Sequence, residues 1–107
     1  MKEKEKFKSE LLANIMKALA HPTRAFIVLE LERKELCVCD LTEKIDADVS
    51  TVSKHLSVLK KAGIVKSEKR GLQFFYSLVT PCVLNFFLCV EEKLKRDLKR
   101  KSDFLEE

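Results

Sequence analysis

No stretch of this 107-residue chain approaches the ~20 consecutive apolar residues that a helix needs to cross a bilayer. The opening Met1-Lys2-Glu3-Lys4-Glu5-Lys6 leads into no apolar signal core, so a cytoplasmic protein is expected. There is no internal repeat and no low-complexity linker. No nucleophile, base and orienting group stand at a spacing that would make an enzyme. Cysteine is absent before position 37 and histidine after position 55, so any thiol or imidazole chemistry has few places to sit. Four cysteines would allow two disulfides, but in a chain rich in apolar residues and without an export signal they are expected to stay as thiols.

What is present is a single domain's worth of soluble, helix-rich sequence: 46% apolar and 36% charged residues, with a formal charge of +4. At this length a second subunit can supply much of the burial, so a homodimer is expected. The charge is uneven. Between positions 49 and 70, Lys54, Lys60, Lys61, Lys66, Lys69 and Arg70 face only Glu68, an excess of five positive charges, and the rest of the chain sums to −1. One basic segment on a neutral body is a footprint for phosphate.

Phe7, Leu11, Ile15 and Leu19 recur every fourth residue, predicting an amphipathic helix over 5–19. His21-Pro22 breaks the chain and restarts it, because proline suits the first turn of a helix and disfavours helix in the residue before it. Phe26, Ile27, Leu29 and Leu31 are then expected to supply core from a second helix ending near Arg33. Asp40-Leu41-Thr42-Glu43 has the acceptor-x-x-Glu form of a capping box and predicts a short third helix, 40–45, with Cys37 and Cys39 before it.

Asp48 is placed to cap a fourth helix, and Gly63 to end it. Val52, Leu56, Leu59 and Ala62 form its apolar side, while Ser50, Ser53, Lys54, Ser57 and Lys61 leave the other side small, polar and basic. Runs 64–69 and 73–78, joined through Arg70-Gly71-Leu72, predict a hairpin. Thr80-Pro81 opens a last helix, 80–101, whose Val83, Phe87, Val90, Leu94 and Leu98 offer more apolar surface than one small domain covers. The tail from Lys99 is expected to fray.

Helix, short helix, turn, exposed polar helix and basic hairpin is the order of a winged helix-turn-helix: mainly α with a small β-hairpin, 40–62 being the helix-turn-helix and 64–78 the wing. The chain resembles the ArsR/SmtB family of winged-helix metal-responsive repressors over roughly residues 5–100. The resemblance is carried by Ala20-His21-Pro22-Thr23-Arg24, Glu35-Leu36-Cys37-Val38-Cys39-Asp40-Leu41, Ser50-Thr51-Val52-Ser53-Lys54-His55-Leu56, Leu59-Lys60-Lys61-Ala62-Gly63-Ile64-Val65 and Phe75-Tyr76-Ser77-Leu78. It implies a homodimer paired through helices 5–19 and 80–101, binding double-stranded operator DNA until an inducer releases it, with no catalytic activity and no permanently bound cofactor.

Physical reading supplies the candidate sites. Ser50, Thr51, Ser53, Lys54 and His55 occupy the turns that such a helix presents to base edges, with Ser57 beside them; His55 serves equally well in packing beside Leu56. Lys60, Lys61, Lys69 and Arg70 suit phosphates, and Arg70 is the wing's best contact. For Arg24, a salt bridge to a helix carboxylate is expected ahead of a phosphate contact.

Cys37 and Cys39 are the candidate thiophilic site. Residues two apart point about 200° around a regular helix, so joint coordination needs an irregular backbone at the helix start. Free N–H groups there favour the thiolate. Two soft ligands without a nearby histidine select trivalent arsenic or antimony over zinc, which prefers four mixed ligands. The family's arsenic-responsive members often place a third cysteine where this chain has Thr42. Alternatives are a thiol switch answering oxidant or reactive sulfur, a cadmium- or lead-responsive repressor, and a small metal carrier without a DNA role. Cys82 and Cys89, seven apart on the last helix, read first as small buried apolar side chains.

Overall fold

The computed structural model describes residues 1–106. Five helices and three short strands follow in the order α1 (Glu3–Leu19), α2 (Pro22–Leu31), β1 (Leu36–Cys37), α3 (Val38–Ile45), α4 (Val49–Lys61), β2 (Val65–Arg70), β3 (Gln73–Leu78) and α5 (Cys82–Glu106). The antiparallel sheet has the strand order β1-β3-β2. This is a mainly helical winged helix-turn-helix architecture, with α3 and α4 as the two helices of the motif and β2–β3 as the wing.

Local chemistry sets the boundaries. His21 caps α2, its Nδ1 accepting from the Thr23 N–H at 3.0 Å ahead of Pro22 in the first turn. The Asp48 carboxylate accepts from the Thr51 N–H at 2.7 Å, and these hydrogen bonds hold its pKa below the ordinary carboxylate value. At the other end of α4, Gly63 takes φ +77° while its N–H reaches Lys60 O and the Ile64 N–H reaches Leu59 O. That pairing closes the helix with two buried side chains, Leu59 and Ile64, above and below the turn. Gly71, at φ +64°, makes a two-residue wing tip with Leu72 between Arg70 and its partner Gln73.

The core gathers Ile27, Val28 and Leu31 of α2, Leu41 of α3, and Val52, Leu56 and Leu59 of α4, closed by Ile64, Val65 and Val83. Several sequence expectations are corrected. Phe26 and Leu29 are 37% and 38% exposed rather than core, because α2 turns Ile27, Val28 and Leu31 inward and leaves the opposite side open. The third helix starts two residues earlier than predicted, and its cap is Cys37. The last helix, expected over 80–101, spans Cys82–Glu106, with Glu107 of the expected fraying tail outside the described residues, and its polar stretch is braced by Glu91–Lys95 and Lys93–Asp97 pairs at i,i+4. A third strand, β1, joins the expected hairpin.

Along α1, Phe7, Leu11, Leu12 and Met16 are exposed, and only Ala18 and Leu19 are buried. On α5 the same holds for Val90, Leu94 and Leu98. A groove of about 500 Å³ between α2 and α5 is lined by Leu29, Phe86, Phe87, Val90 and Leu94. No helix among the described residues is long and apolar enough to cross a membrane.

Candidate metal centre and nucleic-acid interface

Cys37 stands where the chain passes from strand to helix. Its φ and ψ of −81° and 166° are extended while Val38 is already helical. This break lets residues two apart turn their side chains to one point, as joint use of the two sulfurs requires. Cys37 acts as the N-cap: its Sγ accepts from the Asp40 N–H at 3.3 Å, and the Asp40 carboxylate accepts from the Cys37 N–H at 3.4 Å. The capping box is therefore Cys-x-x-Asp, one turn before the predicted Asp-x-x-Glu.

The sulfurs of Cys37 and Cys39 are bonded to each other as a disulfide, with Cα atoms 5.3 Å apart. Free thiols were the expectation, from compartment and composition; the local backbone, to which that argument is blind, brings the pair into contact. Cys37 is buried and Cys39 exposed. The Asp40 carboxylate joins them, the three ligand atoms lying within 4.8 Å of one another. Thr42 does not join: its hydroxyl donates to Val38 O at 2.7 Å. Cys82 and Cys89 are exposed on α5, not buried as expected, because that face of the helix has nothing packed over it in the single chain.

The pair is wired to its surroundings. Cys37 lies in β1, in register with Phe75 of β3, and Leu36 with Tyr76. Glu35, just before β1, holds Arg70 of the wing through both carboxylate oxygens, one at 3.1 Å, and Glu68 takes a further bond from Arg70 at 3.0 Å. The guanidinium also lies 4.9 Å over the Phe75 ring. This grip depresses the Glu35 pKa and raises that of Arg70. Sequence reasoning missed Glu35 because its partner is 35 residues away, and missed Asp40 as a neighbour of the sulfurs because cysteine is an uncommon cap.

Ser50, Thr51, Ser53, Lys54, Ser57 and Lys61 all lie exposed along α4. Lys60 extends to Ser67 Oγ at 2.8 Å, tying α4 to β2. His55 is half-buried and turned toward α2, its ring centroid 4.4 Å from that of His21. Arg24 Nη1 lies 3.2 Å from His55 Nδ1. Since a guanidinium can only donate, that nitrogen must be unprotonated. Arg24 also donates to Ala18 O at 2.6 Å and Lys17 O at 3.5 Å, so it clamps the end of α1 to the middle of α4. Among the described residues it meets no carboxylate, turning instead to the carbonyls at the end of α1 and to the His55 ring.

A short capped helix, an exposed polar and basic helix beside it, and a basic hairpin define a winged helix-turn-helix regulator. Residues 21–67 match the family described as bacterial regulatory protein, arsR family. An uncharacterised HTH-type transcriptional regulator of Methanocaldococcus jannaschii is 41% identical over 86 residues, spanning 79% of this chain and 97% of that protein. The cadmium resistance transcriptional regulatory protein CadC of Listeria innocua is 40% identical over 80 residues, spanning 74% and 67%. In structure, the chain is similar to a homodimeric winged helix-turn-helix DNA-binding domain from Mycobacterium bovis, with a TM-score of 0.81 at 23% identity over 94% of this chain and 93% of that one. The chain belongs to the ArsR family of bacterial regulatory proteins. Its family and fold are those of DNA-binding transcriptional regulators rather than enzymes.

Proposed function

We propose that this protein is a cytoplasmic, homodimeric repressor that binds operator DNA and leaves it when trivalent arsenic or antimony is captured by Cys37 and Cys39. The observation that carries the reading is the convergence of two sulfurs at the cap of α3. That helix packs on α4, and Cys37 itself belongs to the strand paired with the wing. Bonds from both sulfurs to one soft centre would take Cys37 Sγ away from the Asp40 N–H and loosen the first turn of α3. The reading helix and wing would then lose the relative position that docking needs.

In this reading Ser50, Thr51, Ser53, Lys54 and Ser57 face base edges, and Lys61 and Arg70 meet phosphates. His55 instead holds α4 in place through Arg24. The thiophilic assignment rests on donor softness; the nearby Asp40 oxygen also suits a borderline ion, and cadmium is the ion in the name of one relative. A second reading, a thiol switch answering oxidant or reactive sulfur, is favoured by the Cys37–Cys39 disulfide.

The test is a fluorescence-anisotropy titration of the reduced protein on the DNA upstream of its own coding region, challenged separately with arsenite, antimonite, cadmium, zinc and peroxide. Release by arsenite and antimonite, abolished by Cys37→Ser and by Cys39→Ser, is the expected outcome. Release by peroxide alone selects the thiol switch. Normal release of both variants removes the sensor from this position.

A further inference from the structure

α4 opens on a side chain that its own packing does not explain. Val49 is the first residue of the helix and 58% exposed, while Val52, Leu56 and Leu59 of the same helix are fully buried. The apolar positions that a helix start ordinarily uses are the residue before the cap and the fourth of the helix. Here these are Ala47 and Val52, and both join the core. Val49 is neither. A single exposed valine is ordinary on most surfaces, so its place decides whether it counts.

That place is the polar face of α4. Val49, Ser53 and Ser57 follow one another at intervals of four and make one exposed row along the helix, with Ser50 and Lys54 beside them. Val49 and Ser53 also share the rim of an open cleft of about 340 Å³ whose far side is Leu72 and Phe74 of the wing. The row thus borders the wing, on the surface that the two elements present together.

Charge narrows the occupant. The segment from 49 to 70 carries an excess of five positive charges, which suits a polyanion, whereas the long unpartnered apolar stripes run along α1 and α5. Val49 offers a phosphate nothing, and the carboxylate of the Asp48 cap beside it repels one. What remains is a base edge. In the major groove, base edges carry donors, acceptors and a single kind of apolar group, the C5 methyl of thymine.

We propose that Val49 is a specificity-determining residue, packing its two methyl groups on the C5 methyl of one thymine in each half of the operator. This rests on the reading of α4 as the helix that enters the major groove, and it adds an apolar contact to Ser50, Thr51, Ser53 and Lys54. The first turn of such a helix is the part that meets bases, and Val49 opens that turn. Valine is suited to the task because branching at Cβ leaves it one strongly preferred rotamer in a helix, so its methyls are already fixed before DNA arrives. The serine hydroxyls cannot make the same distinction, since thymine and uracil show them the same O4 acceptor.

The experiment measures binding of the full, reduced chain to the DNA upstream of its coding region by fluorescence anisotropy, with deoxyuridine placed for thymine one position at a time. Uracil keeps the pairing and every hydrogen-bonding atom and lacks only the methyl. The parent should lose about three- to fivefold in affinity at one thymine in each half-site, the worth of one methyl taken out of contact. Val49→Ser should bind the all-thymine duplex about as weakly as the parent binds that uracil duplex, and should lose nothing further on the uracil duplex. Val49→Ile should keep the discrimination, and both variants should melt with the parent because the side chain is exposed. Effects of uracil on DNA shape act on parent and variants alike and cancel in the comparison. A parent indifferent to every uracil, or a Val49→Ser variant that loses as much as the parent at every sensitive thymine, overturns the proposal while leaving operator binding standing. Absence of specific binding to the upstream duplex overturns the operator reading itself and this proposal with it.

Discussion

Protonating His55 removes the lone pair that Arg24 binds, and with it one of the links between α1, α2 and α4. The His55 pKa is held below its ordinary value by burial first, then by the neighbouring His21 and Arg24. As pH falls, the unfolded chain therefore takes up this proton before the folded one does. The stability that neutral His55 contributes is complete above about pH 6.5 and is lost as pH drops through that value toward the folded pKa. Urea midpoints measured at pH 7.5 and 5.5 should fall with pH in the parent, and His55→Gln should shrink that drop. An equal drop in both proteins would show that His55 is not the group titrating. Lys54 stands differently, exposed and without a side-chain hydrogen bond or ion pair among the described residues. Lys54→Ala should weaken operator binding about ten- to hundredfold in a gel-shift titration while the thermal melting curve stays put. The polar face of α4 was legible because serine and lysine there serve no core. The use of His55 was not, since the residue it meets lies 31 positions away and sequence periodicity carries no such distance.

At the scale of elements, β1 changes what a ligand at Cys37 can reach. A strand of two residues leaves no periodic trace, so the sequence suggests only a hairpin, yet Leu36 and Cys37 pair with Tyr76 and Phe75 and carry Glu35 up to the wing. The longer elements announced themselves: α4 by a stripe at helical spacing between Asp48 and Gly63, and the wing by two β-like runs around a glycine. The cap of α3 was misplaced because Asp40 fits two boxes, as the first residue of one or the last of another, and only the backbone at Cys37 decides between them. The Arg70 guanidinium is held by Glu35 and Glu68 in the free protein, and in the proposed function it must leave them to meet phosphate. Glu35→Gln should release it and tighten operator binding about two- to fivefold, the modest effect expected of an exposed pair. Arg70→Ala should weaken binding and reduce the slope of log affinity against log salt by about one. An unaltered salt slope for Arg70→Ala would place the wing off the DNA.

The whole molecule is too open for its length. Its radius of gyration is 16.9 Å and it extends 58 × 44 × 21 Å, where a compact chain of about 100 residues has a radius near 13 Å. The excess lies in α1 and α5, which enter the core at Ala18, Leu19 and Val83 while the rest of their apolar stripes stays at the surface, that of α5 lining a groove beside α2. Phe7, Leu11 and Leu12 on one helix, with Leu94 and Leu98 on the other, have apolar area to bury and nothing in the single chain to bury it against. A second copy offers the same two helices, which is what a two-fold interface requires. Leu98 separates the alternatives cleanly. At 64% exposed, its replacement by aspartate should cost an isolated chain almost nothing, so any loss reports on a partner. Leu98→Asp is expected to convert a dimer to monomer in sedimentation velocity at micromolar concentration. Operator affinity should fall with it by about a hundredfold or more, because two reading helices that bound as one unit must then bind independently. A parent protein that sediments as a monomer, or a variant that stays dimeric on the same DNA, would mean that these stripes serve something other than self-association.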